Sequence, residues 1–149
     1  MSRFLIYLMR KIVSIDNVQV SYLLLTYCCS FGKIVYYSRT TPTENILEQL
    51  KFFDLQLYEA MGELLNQSLG EPQLTQIALP WSKGGLGLRS AYAHSCAAYL
   101  SSLGQCEEVV IRMSGSLTGN YIAKSLSMLN SQLETNQAIP LAKILEDQK

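Results

Sequence analysis

The spacing of apolar positions is helical nearly throughout this chain. Its clearest passage follows TTPTENILEQL, where Leu50, Phe53, Leu57, Ala60 and Leu64 recur at alternating intervals of three and four. That spacing draws one apolar stripe, with Glu48, Lys51, Glu59 and Glu63 lying away from it. Thr41, Pro42 and Glu44 read as an N-cap, a first helical position and the third residue of a capping box. The predicted helix runs to about Leu69, where Gly70 and Pro72 stop it.

Shorter elements are predicted on either side. Residues 4–15 form a short apolar helix, and Asp16-Asn17 then caps a second over residues 18–31, apolar on most sides and so expected to be buried. Gly32 ends it, and residues 34–38 add a turn. Residues 73–79 supply one more turn before Pro80, and Gly84, Gly85 and Gly87 form a structural turn. Ser90 then caps AYAHSCAAYLSSL, with Gly104 as its terminator. SGSLTGN is a flexible break before a helix over 121–133, where Ile122, Leu126 and Leu129 share a face, and Pro140 opens a last amphipathic segment. The predicted fold class is all-α, a small multi-helix domain with a glycine-rich corner before a short alanine-rich helix.

Composition changes this picture in two ways. Hydrophobic residues make up 48% and charged residues 16% of the 149, so a folded domain is expected, with a surface that invites more protein around it. The zero net charge hides a division. Residues 1–43 carry five bases against Asp16 alone, a net of +4; residues 44–71 carry −5, residues 72–106 carry +2 from Lys83 and Arg89, and the remainder carries −1. A basic front and a basic glycine segment suit a polyanion, although a solvated face is the commoner cause of such a bias. Cys28, Cys29, Cys96 and Cys106 show no disulfide-framework spacing, which suggests reduced thiols and an intracellular chain. The apolar stretch of residues 18–37 is interrupted by Gln19, Gly32 and Lys33, which favours a core helix over a membrane span.

Candidate chemistry narrows the reading further. LPWSKGGLGLRSA fails the dinucleotide spacing, because the third glycine position is Ser90. It fails the phosphate-loop pattern because Lys83 precedes the glycines. What remains is a corner whose helix start, with Arg89 beside it, can offer amides to a backbone phosphate, or a plain turn. His94 and Cys96 point far apart around a helix, so no metal site is expected. GSLTG has Leu117 where a nucleophile elbow needs serine, and Asp16, Asp54 and Asp147 are scattered. No catalytic residues, metal or cofactor are expected.

The order of segments nonetheless resembles a known family. FGKIVYYSRTTP, then FFDLQLYEAM, then LPWSKGGLGLRSAYAHSCAAYLSSL is similar to the region just downstream of the reverse-transcriptase core in non-LTR retrotransposon polyproteins. The resemblance covers roughly residues 18–103. It implies a helical, thumb-like region over 1–106 that packs on a polymerase palm and contacts the template–primer backbone, with 107–149 an unassigned helical extension. Carried over by position, it makes Lys33, Arg39 and Arg89 the candidate nucleic-acid-binding residues. The family's Asp-Asp metal motif is absent, as is any endonuclease segment. The expectation is therefore a catalytically inactive, truncated retroelement-derived segment with weak, sequence-independent binding to RNA or DNA backbone. Two alternatives accompany it: a small helical protein–protein interaction module using its apolar faces, and a small membrane protein with one span near 18–37. No small-molecule substrate is expected.

Overall fold

The computed structural model describes residues 3–114 and 120–133, which are all-α, with no strand among them. The elements are α1 (Arg3–Val13), α2 (Val18–Leu23) running into a π-helical turn (Leu24–Cys28), α3 (Phe31–Thr40) and α4 (Thr43–Leu65). They are followed by α5 (Glu71–Ala78), a 3-10 turn (Trp81–Lys83), α6 (Ala91–Ser114) and α7 (Asn120–Gln132). Two compact units result. The first comprises Met1–Ile34 and Glu48–Tyr92, the second Val35–Leu47 and Ala93–Lys149.

The first unit is built on the predicted stripe. Leu50, Phe53, Leu57 and Ala60 are buried with Met61, and Leu64 is half-buried. Each large side chain so removed from water contributes roughly 1.5–3 kcal/mol. Helix α4 is shorter than its pattern suggests. Thr41 does not cap it: the Thr41 N–H still donates to Tyr37 O at 3.0 Å, and the helix opens at Thr43 with Asn45 N–H on Pro42 O at 3.0 Å.

The far end of α4 closes at Leu65 because Asn66 adopts φ 53°. Gln67 N–H then reaches Gly62 O at 3.0 Å and Asn66 N–H reaches Glu63 O at 3.1 Å, the bond pair that closes a helix before a left-handed residue. The returning chain crosses Gly62 so closely that a Cβ there would lie 2.9 Å from Gln67 O. Gly70 and Pro72, read as stops, instead start α5, with Gly70 N–H donating to Gln73 Oε1 at 3.1 Å.

The second predicted helix is also corrected. Asn17 caps it, its Oδ1 accepting from Val20 N at 3.0 Å. It passes through the π turn, and Gly32 lies inside α3 rather than ending a helix. Nor is it buried on most sides. Its interior positions are Ser21, Leu25, Cys29, Ser30, Ile34 and Ser38, while Val18, Val20, Leu23, Tyr27, Tyr36 and Tyr37 face solvent. Val18–Thr40 is long and apolar enough to cross a membrane by length and composition, and 28% of its most apolar window is buried.

The second unit buries Tyr99, Leu100, Cys96 and Leu126 together with Ser38, Thr43, Ser95 and Ser125. Its surface polar pairings include Lys124 with Glu44 at 3.0 Å, Arg39 Nη2 with Gln105 Oε1 at 2.7 Å and Arg112 Nη2 with Glu108 Oε1 at 2.6 Å. Helix α6 does not stop at Gly104 but continues to Ser114, because a single glycine lowers helix stability without breaking it. The residues 115–119 of the expected flexible break, and the segment opened by Pro140, lie outside the described residues.

Candidate nucleic-acid interface

The glycine corner of the first unit is a turn whose amides face inward. Gly84 and Gly87 adopt φ 74° and 67°. Gly85 is buried, and a Cβ there would lie 2.0 Å from Leu79 O, so no side chain fits. Gly85 N–H donates to Pro80 O at 3.2 Å, Gly87 N–H to Leu79 O at 2.8 Å, and Leu86 and Leu88 N–H both to Ile77 O, at 3.2 and 3.1 Å. Gln76 Nε2 donates to Gly84 O at 2.6 Å. A phosphate cradle needs N–H groups aimed outward, and these are aimed at backbone carbonyls.

The helix start after the corner already holds an anion. Asp54, 6% exposed, receives Ser90 Oγ–H at 2.6 Å, Ala91 N–H at 2.7 Å and Tyr92 N–H at 3.0 Å. A buried carboxylate is costly unless its lone pairs are filled, and a helix N-terminus supplies both donors and a favourable dipole. The amides considered available to a phosphate at this helix start are thus taken by the protein's own carboxylate. Tyr58, one helical turn beyond Asp54, has its phenol pushed above the usual tyrosine value by burial first and by the Asp54 carboxylate second; its hydrogen bond with Ser90 opposes both.

This arrangement explains why FFDLQL and GGLGLRSA belong together. One supplies the carboxylate and the other the N-terminus that it caps. Sequence reasoning passed over Asp54 as one of three scattered aspartates. The available signal was its place one turn after Leu50, at the edge of the apolar stripe and about 40° from Leu50 around the helix axis, where an acid needs a donor set.

A second feature, also missed, lies on the outer side of the corner. Trp81 Nε1–H donates to Tyr22 Oη at 3.0 Å, and the Tyr22 hydroxyl donates to Leu86 O at 2.6 Å. The two rings lie 6.0 Å apart, tilted by 46°. Trp81 remains 65% exposed.

The three cations carried over by position are all exposed. Lys33 and Arg89 belong to the first unit and Arg39 to the second. Lys33 sits in the first turn of α3, while Arg39 lies in its last turn, engaged by Gln105. Lys33 also offsets slightly the upward push that burial, and then Cys28, give the Cys29 thiol. Of the other basic residues at the front, Arg10 shares a cleft of about 360 Å³ with Glu59 and Glu63. Among the described residues no three metal-ligating side chains converge; His94 is exposed and Cys96 buried. The chain matches no family model, no curated protein and no solved structure.

Proposed function

We propose that this chain is a non-catalytic helical segment, resembling the thumb-like region after a reverse-transcriptase palm, that binds nucleic-acid backbone weakly and without sequence preference. The observation that carries the reading is the corner. Lys83 and Arg89 are exposed there, and the Asp54 carboxylate bonded to the helix start is buried and occupied. Exposed cations position a phosphate chain without reading its bases. Lys33 adds to this grip from α3. Arg39, in the second unit, must leave Gln105 to engage a phosphate.

Fluorescence anisotropy of a labelled RNA–DNA hybrid across a salt series tests the reading, with Lys33→Ala/Arg39→Ala/Arg89→Ala measured beside it and helicity checked by circular dichroism. Affinity that falls steeply with salt and drops in the variant is the expected result. A folded chain that leaves the hybrid unbound at low salt overturns it.

A second reading has its own observation. In the second unit Tyr36 and Met113 are 68% and 84% exposed, which suits packing on a protein partner such as a polymerase palm. A stoichiometric complex unaffected by the three alanines favours that reading, and retention in carbonate-washed membranes favours a span by Val18–Thr40.

A further inference from the structure

We propose that Trp81 is a stacking platform for an unpaired nucleobase, with Lys83 and Arg89 holding the adjoining phosphates of a single-stranded nucleic acid. The inference rests on the backbone-binding reading above and adds the ligand's form.

Trp81 has its N–H satisfied by Tyr22 at 3.0 Å yet leaves 65% of its surface to solvent. Its orientation is fixed nonetheless. Tyr22 is itself tied to Leu86 O, and Gly87 approaches the pyrrole edge of the indole, where a Cβ would stand 3.6 Å from Trp81 Cδ1. Gly87, at φ 67°, disfavours any side chain that would crowd the indole. An aromatic ring ordered before its ligand arrives loses little further entropy on binding.

The surroundings select the ligand. Lys83 and Arg89 flank the ring in sequence, and residues 72–106 contain no aspartate or glutamate. Trp81 is also the one large hydrophobic residue exposed between Leu65 and Val109. A bilayer surface would be met by an apolar patch, whereas one exposed ring flanked in sequence by two exposed cations suits a base and its phosphates. An unpaired base can lie on the indole. A base inside a duplex has both faces covered by its neighbours.

Trp81 is the only tryptophan in the chain, so intrinsic fluorescence reports on it directly. The full chain is titrated at low salt with a short oligothymidylate, an RNA–DNA hybrid, inorganic polyphosphate and phosphatidylserine vesicles, with anisotropy of labelled strands measured in parallel. Saturable quenching by oligothymidylate and none by polyphosphate is expected. Trp81→Ala should weaken oligothymidylate binding about tenfold, with Trp81→Phe retaining most of the affinity. Lys83→Ala and Arg89→Ala should each lower the salt slope by about 0.7.

Binding of oligothymidylate with no quenching, and equally by Trp81→Ala, overturns the platform while the backbone grip stands. Absence of binding to both oligothymidylate and the hybrid by anisotropy overturns both readings. A blue shift with vesicles alone overturns the platform and reassigns the surface to lipid.

Discussion

Helix α4 and the segment Val18–Thr40 have the same length, 23 residues, and bury opposite kinds of side chain. α4 turns Leu50, Phe53, Leu57 and Met61 inward and its glutamates outward. The other segment turns Ser21, Cys29, Ser30 and Ser38 inward, with Leu25 and Ile34, and leaves Tyr27, Tyr36 and Tyr37 in water. The difference teaches that apolar content does not say which face packs. In α4 the core is a sum of large transferred areas. Along Val18–Thr40 small side chains occupy the interior, and much of the apolar area is still available to something else.

The comparison breaks most sharply at Leu57, which is fully buried. Leu57→Ala should cost about 4 kcal/mol in a urea unfolding measurement, transfer and cavity terms together. Tyr27→Ala, on the exposed face, should stay within about 0.5 kcal/mol. If the two cost the same, the assignment of packed and free faces is wrong.

Asp54 is the polar exception inside α4, and the next largest effect belongs to it. Asp54→Asn removes the charge and replaces one acceptor oxygen by a donor facing amides that also donate. The expected loss is about 2 kcal/mol, with reduced amide protection at the start of α6. Tyr58 extends the test to pH. Its phenol is held above the ordinary tyrosine value in the folded chain, so the native state keeps this proton more tightly than the unfolded state does. The contribution is complete below the unfolded tyrosine pKa and is lost as pH rises through the folded one. Urea midpoints should therefore fall on the alkaline side of the ordinary tyrosine value, less steeply in Tyr58→Phe.

The elements were largely legible because α4, α6 and α7 carry their own periodicity and α2 its own cap. Their ends were less so. Asn66 ends α4 earlier than the pattern because a left-handed asparagine closes the helix as well as a glycine does. Gly104 does not end α6 because one glycine costs less than the helical bonds around it provide. The basic candidates could be named from the resemblance, but their environments could not. Whether Arg39 meets a glutamine, or Arg10 shares a cleft with two glutamates, depends on residues distant in sequence. The partners of Trp81 and Asp54 were invisible for the same reason: Tyr22 stands 59 residues from the one and Ser90 stands 36 from the other.

The smallest effect sharpens the comparison most, because it reverses sign within one segment. Ser21 and Ser38 both lie on the buried side of Val18–Thr40 with no accessible surface. Ser21 Oγ–H donates to Ile12 O at 2.8 Å and so joins α2 to α1. Ser38 Oγ has no hydrogen-bond partner. Removing a made bond costs about 1 kcal/mol, whereas removing an unmade one returns the desolvation that the hydroxyl suffered. Ser21→Ala should therefore lower the urea midpoint, and Ser38→Ala should raise it by a stabilisation of about 1 kcal/mol. A Ser38→Ala chain that is less stable instead would mean that the hydroxyl has a partner in solution. The small-residue interior of this segment would then be held by polar contacts throughout, rather than by close packing around an unpaired group.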